Sequence, residues 1–268
     1  MLASKIVKGT AVNTYATGEW IAEEKFDGHR VVVAVQRGLV AAWSRPRAGE
    51  RRGNVRDLPA HIASALATFP AGVYDGELII PGGKSWDVGA LETNGTHELM
   101  LFDVIVYGQQ ELDRVSQLGR REILEAAFAS VSKSKRGKVK LSPQFPPSQA
   151  ALDAIWARKG EGIILKHLDG RYEPNCRASS WIKVKRLETA EFTVTGFLPG
   201  KNSPCGIVAM RDDQGIETTV KALNNADVRR FEQNPQAFIG RRAWLEFQER
   251  HPATNVPRHP MFDRFVDE

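Results

Sequence analysis

The chain has 268 residues, 42% of them hydrophobic, enough for one large domain or two modest ones with ordinary buried cores. Its 37 Lys+Arg against 32 Asp+Glu give a formal charge of +5, which favours a polyanionic partner without identifying one. Two cysteines exclude a four-thiolate zinc site and argue against a disulfide framework, the six histidines lack metal-ligand spacing, and no segment approaches the apolar run of about 20 residues that a membrane helix needs; a soluble, cytoplasmic protein is expected.

From Trp20 to about Lys185, strand-like runs are punctuated by a few helices, as expected for an α+β domain built on antiparallel sheets. Strands are predicted at 20–25, 29–36, 39–44, 72–80, 98–107, 162–167 and 179–185. The run 116–131 reads as a helix, with Ser116 as N-cap and Leu118, Ile123, Leu124, Ala127 and Phe128 as its apolar stripe. Ser132-Lys133-Ser134-Lys135-Arg136-Gly137-Lys138 reads as a basic, loop-like connection. A second helix beginning near Ser148 should bury Leu152, Ile155 and Trp156.

After Leu187 the runs shorten, with strands predicted at 191–197, 206–210, 217–221 and 242–248 and a helix around 224–232. That spacing fits a small β-barrel of the oligonucleotide-binding kind, with the boundary near 186–190. The stretch from Gly196 to Asn202 looks superficially like a P-loop. It is one residue short between glycines and lacks the Ser or Thr that binds Mg²⁺, so it reads as a barrel turn.

Three pairs of charged residues sit two apart: Lys25/Asp27, Asp75/Glu77 and Lys183/Lys185. In extended backbone this spacing puts both members on one sheet face, where cations can meet phosphate oxygens and carboxylates can meet Mg²⁺ or ribose hydroxyls. Each pair alone also reads as a solvated strand face. Their joint occurrence, with Glu161 opening another apolar strand, favours a phosphate site. A lysine that attacks phosphorus must be neutral, and deprotonating one near neutral pH costs about 4 kcal/mol, from about three pKa units. Nearby ammonium groups at Lys183 and Lys185 would lower that cost by like-charge repulsion.

These residues fall in motifs that arrive in a fixed order: Glu24-Lys25-Phe26-Asp27-Gly28-His29-Arg30, Asp75-Gly76-Glu77-Leu78, Leu101-Phe102-Asp103-Val104, Glu161-Gly162-Ile163-Ile164-Leu165-Lys166 and Trp181-Ile182-Lys183-Val184-Lys185. Followed by Arg258-His259-Pro260-Met261-Phe262-Asp263-Arg264, the series resembles the ATP-dependent DNA ligases of the covalent nucleotidyltransferase superfamily, in their minimal two-domain phage or bacterial form. The likeness spans nearly the whole chain. It implies an antiparallel-sheet, ATP-grasp-like nucleotidyltransferase domain at 1–187 and an OB-fold barrel at 188–268. The implied activity is the sealing of nicks in duplex DNA through a lysyl-AMP, transfer of AMP to the 5′-phosphate and attack by the 3′-hydroxyl.

By the same resemblance, Lys25 is adenylylated, with Asp27, Lys183 and Lys185 also catalytic. Glu24, Arg30, Glu77, Phe102, Ile164 and the two lysines belong to the nucleotide site: Arg30 and Glu77 hold the ribose, Phe102 stacks on adenine and Ile164 closes the opposite face. Asp27, Glu77 and Glu161 form the Mg²⁺ environment, and Arg258 and Arg264 meet the leaving pyrophosphate. The ending Val266-Asp267-Glu268 departs from a basic tail and leaves the contacts of Arg264 open. Arg45 matches the arginine that grips the 5′-phosphate. Arg47, Arg51 and Arg52, and the later cluster of Lys133, Lys135 and Arg136, are candidate DNA contacts, with a solvated loop as the alternative for each cluster.

The implied cofactors are ATP and Mg²⁺, and the implied partner is nicked double-stranded DNA, bound by a monomer without an obligate protein partner in a bacterial or phage-infected cell. With so little chain ahead of Lys25, neither a front helical DNA-binding domain nor the extra N-terminal domain of NAD-dependent ligases is expected. An RNA ligase or a GTP-using capping enzyme shares the nucleophile motif and the lysine pair, and a catalytically idle nick-binding module is a third reading.

Overall fold

The computed structural model describes residues 2–4, 12–45, 53–89, 95–174, 176–200, 203–221 and 225–266. The chain divides into two compact units, Met1–Val184 and Lys185–Glu268. In chain order the first unit contains β1 (Leu2–Ser4), β2 (Trp20–Lys25), β3 (His29–Gln36), β4 (Leu39–Ser44), α1 (Ala60–Leu66), β5 (Gly72–Ile79), β6 (Glu98–Tyr107) and β7 (Gln110–Glu111). There follow α2 (Gln117–Ser130), α3 (Lys133–Arg136), β8 (Val139–Leu141), β9 (Gln144–Phe145), α4 (Gln149–Ala157), β10 (Gly162–His167) and β11 (Arg177–Lys185).

One sheet has the order β4-β3-β5-β6-β7, with β8 pairing β6; the other runs β1-β11-β10-β2-β9. The β3–β4 hairpin closes through Arg37 (φ 53) and Gly38 (φ 78), both left-handed as a two-residue primed turn demands. Alternation sends Val31, Val33 and Val35 inward from β3, where they join Tyr74, Leu78, Leu99 and Leu101 beneath Ile62 and Leu66 of α1 and Leu124 and Ala127 of α2. A second core packs Ala22, Ile163, Leu165 and Ile182 against Leu152 and Ile155 of α4. A smaller cluster of Tyr172, Ala178 and Trp181, flanked by Phe102 and Ile105 of β6, joins the two sheets.

The long strands lie where alternation put them, apart from β5 ending at Ile79 and β11 starting at Arg177. Ser116 caps α2 as expected, its side chain accepting from Gly119 N at 3.2 Å, and Ser148 does the same for α4. The expected stripe on α2 needs correcting. Leu118 is 48% exposed, while Arg120 is completely buried on the inward face. Its Nε and Nη2 grip both carboxylate oxygens of Asp103 at 2.8 and 3.0 Å, and Nη1 donates to the carbonyls of Val115 and Gly170. A hydropathy pattern scores such an arginine as solvent-facing and so rotates the stripe.

The basic connection after α2 contains the single turn α3. Trp156 is only partly buried. The other elements of this unit that the pattern did not reveal, β1, α1 and β7 to β9, are too short to show a period.

The second unit contains β12 (Glu188–Gly200), β13 (Ser203–Arg211), β14 (Glu217–Lys221), α5 (Asn225–Gln233), β15 (Arg242–Phe247) and β16 (Met261–Phe265). They form one antiparallel sheet ordered β14-β13-β12-β15-β16, with register shifts in the β12–β13 ladder that bend the strands. Phe192, Val194, Val208, Leu245 and Phe247 face inward with an aromatic group of Phe231, Phe238, Phe262 and Phe265. The supposed barrel turn from Gly196 is, as far as Gly200, the end of β12. Among the described residues, no helix is long and apolar enough to cross a membrane.

Candidate active site

A cavity of about 260 Å³ opens in the first unit, walled by residues of β2, β5, β6, β10 and β11. Lys25, the last residue of β2, pairs in register with Gly162 of β10, which brings it beside Glu161. Its ammonium donates to the Glu161 carboxylate, a group only 5% exposed. Gly28 is required by close approach: a Cβ there would lie 2.3 Å from the Leu78 carbonyl oxygen.

Arg30 comes from β3 and donates from Nε to Asp75 Oδ1 at 2.8 Å and from Nη2 to Oδ2. Tyr172 completes the set, its hydroxyl donating to Asp75 Oδ2 at 3.0 Å. Phe102 stands edge-on to Trp181, with ring centroids 6.0 Å apart, and Ile164 lies on the wall from β10. The buried Lys166 donates to Glu23 Oε1 at 2.8 Å and to the Phe102 carbonyl at 3.0 Å, with its Nζ 4.5 Å from the Trp181 ring centre. The cavity therefore has an aromatic end and a charged end, suited to a base and to phosphates respectively.

Burial pushes the Glu77 carboxyl up to about 8, against the opposing pull of Lys25 and Arg30, with Asp75 and Glu161 adding to the rise. A carboxylate held this way is short of positive charge. Yet no three acidic, His or Cys side chains among the described residues converge as a metal-binding group. Glu77 and Glu161 lie within electrostatic reach of each other and of Lys25, whereas Asp27 is beside Lys84, 3.9 Å away, on the wall of a neighbouring cavity. Glu77 and Glu161 are the carboxylates beside Lys25 that would hold Mg²⁺, while Asp27 faces Lys84.

The structure brings together on one cavity Lys25, Arg30, Glu77, Phe102, Ile164, Lys183 and Arg45. Glu24 borders it, but its carboxylate is taken by Arg158. Lys185 ends β11 and donates to Gln248 Oε1 at 3.1 Å, within the second unit. Also in that unit, Arg258 donates to Glu249 Oε1 at 3.0 Å and Arg264 to its neighbour Asp263 at 2.8 Å.

Of the candidate DNA contacts, Arg47, Arg51 and Arg52 lie outside the described residues. Arg136 is occupied locally: it donates to the carbonyls of Val131 and Ala129 at the end of α2, with its guanidinium 4.2 Å from the Phe128 ring centre. Lys133 and Lys135 are exposed on α3.

Sequence reasoning missed Glu23, Lys166, Tyr172 and Trp181 as parts of the site. Glu23 was legible: it precedes Lys25 by two residues, so the alternation used for Lys25/Asp27 puts it on the same face of β2. Asp27 breaks that rule because β2 stops at Lys25.

A solved structure from work on how Lig E DNA ligases bind DNA with a minimal scaffold matches with a TM-score of 0.72 and 22% identity, covering 99% of this chain and 98% of that one. The ligase domain of M. tuberculosis LigD matches with a TM-score of 0.56 and 20% identity, covering 100% and 95%. The shared fold is that of a nucleotidyltransferase unit followed in sequence by an OB-fold unit, the class that the sheets and cavity already describe. Residues 1–185 match the ATP dependent DNA ligase domain, and the chain belongs to that family. The multifunctional non-homologous end joining protein LigD of Mycolicibacterium smegmatis is 29% identical over 196 residues, 71% of this chain and 24% of that protein. This chain thus spans about a quarter of the length of the LigD relatives that it matches.

Proposed function

We propose that this chain is an ATP-dependent DNA ligase that seals nicks in duplex DNA through an adenylate on Lys25. The observation that carries the reading is Lys25 hydrogen-bonded to Glu161 on the wall of a cavity whose other end is Phe102 and Trp181. Adenine lies against Phe102 with Ile164 on its other face, and the phosphates lie toward Lys25 and Lys183. Glu161 orients the Lys25 nitrogen, whose extra proton leaves to solvent before attack. The nitrogen then forms a bond to the α-phosphorus while the bond to pyrophosphate breaks. Arg258 and Arg264 serve the departing pyrophosphate, Lys185 acts with Lys183, and Arg45 holds the 5′-phosphate that accepts AMP. The 3′-hydroxyl then displaces AMP and closes the phosphodiester bond.

Mg²⁺ on Glu77 and Glu161 would supply charge neutralisation at the phosphates. Residues 1–187 form the adenylyltransferase domain and 188–268 the OB-fold domain, and the protein acts as a cytoplasmic monomer. The test is AMP loading from α-labelled ATP, followed by ligation of a nicked duplex, with GTP and nicked RNA as comparisons. The wild type should load AMP from ATP and seal nicked DNA, and Lys25→Ala should do neither. A labelled Lys25→Ala protein would refute the assignment.

A further inference from the structure

A second cavity of about 300 Å³ shares Glu24, Lys25 and Phe26 with the first and is otherwise walled by Asp27 and the segments 79–84 and 158–161. Phe26 is its one ring among the described residues, so it cannot sandwich a base. It carries four cations. Lys25 is paired with Glu161, Arg158 with Glu24, and Lys84 with Asp27 at 3.9 Å; Lys159 alone has no acidic partner among the described residues.

The backbone at Lys159 is equally distinctive. Helix α4 ends with Gly160 N donating to Ile155 O at 2.9 Å and Lys159 N to Trp156 O at 3.0 Å, the paired bonds of a Schellman ending. The residue that must turn left-handed in this motif is usually glycine; here it is Lys159, with φ 63. Lys84 Nζ donates to the Lys159 carbonyl at 3.3 Å and ties the two walls together. A lysine is thus kept in a conformation that glycine would adopt without strain, and its exposed side chain makes no hydrogen bond or ion pair among the described residues to offset that strain.

We propose that Lys159 binds a backbone phosphate of the DNA at the nick, which makes the second cavity a phosphodiester subsite; the inference rests on the ligase reading. ATP's own phosphates share this chemistry, but the first cavity already offers them Lys183 and Arg177 beside the stacking residues. The second cavity has no such stacking wall, and its spare cation faces outward, where a large polyanion can reach it.

The experiment compares full-length wild type with Lys159→Gly and Lys159→Arg, measuring nicked-duplex affinity across a salt series, KM for ATP in AMP loading, and thermal midpoint. Lys159→Gly should weaken DNA binding roughly fivefold and make the salt slope shallower by about 0.9, the loss of one phosphate contact. Lys159→Arg should restore both, and the midpoint of Lys159→Gly should not fall, because glycine suits the turn. Unchanged affinity and slope in Lys159→Gly, or a raised KM for ATP in place of weaker DNA binding, would overturn the proposal. A wild type that loads AMP yet ignores nicked DNA would instead sink the ligase reading, and this inference with it.

Discussion

Glu77 is costly to ionise where it stands, and that cost has a measurable sign. Its carboxyl is pushed by burial from the ordinary 4.5 to about 8, so the folded state keeps a proton that the unfolded chain gives up. The stabilisation linked to that proton is complete below about pH 4.5 and is lost as pH rises through about 8. The thermal midpoint of the nucleotide-free protein should therefore decline across this window, and Glu77→Gln should flatten the decline. An unaltered slope in the variant would show that another group is responsible. Cation binding beside Glu77 should displace the same proton and so strengthen as pH rises. None of this was legible in the sequence, where Asp75-Gly76-Glu77 shows two carboxylates on one strand face but not which is paired. Arg30 takes Asp75, and Glu77 is left in the cavity wall.

At the scale of elements, the bond between α2 and β6 rests on Arg120 and Asp103, both completely buried. Removing one partner of such a pair leaves an uncompensated charge and typically costs about 3–5 kcal/mol. Arg120→Ala should lower the unfolding free energy in urea by about that amount, whereas Arg120→Met combined with Asp103→Leu should lose far less. A loss under about 1 kcal/mol in the single variant would mean that water reaches the site. The effect should extend to the cavity, because Gln117 Oε1 accepts from both Arg120 at 3.0 Å and Trp181 Nε1 at 3.2 Å. Helix caps were readable in advance, since Ser116 and Ser148 satisfy backbone donors a few residues away in sequence. The inward face of α2 was not, because the acid that makes Arg120 an interior residue comes from another element, a strand 17 residues earlier.

For the molecule as a whole, each unit has its own core, one built on aliphatic strands beneath helices and the other on a phenylalanine cluster. A fragment of residues 1–187 should then melt cooperatively and bind ATP. If Arg258 serves the pyrophosphate step, the fragment should load AMP at least about 100-fold more slowly than the full chain, the loss typical of removing a donor to developing charge. Single-turnover labelling gives both rates, and equal rates would remove Arg258 and Arg264 from that step. The match covers about a quarter of the LigD relatives, so the same test bears on such units within longer proteins.

Local rules were enough to locate the long strands, both main helices and the ordered motifs around Lys25, because alternation, caps and short motifs are written in neighbouring residues. The packing of the two sheets decided the rest: that Lys25 meets Glu161, that Glu23 and Lys166 lie buried beside Phe102, that Asp27 turns toward Lys84, and that Arg136 caps a helix. Those partners are separated by tens of residues or more, or are chosen by which backbone carbonyl happens to be left open. A linear pattern can say which side of a strand a charge occupies, but only the folded chain determines which opposite charge comes to stand there.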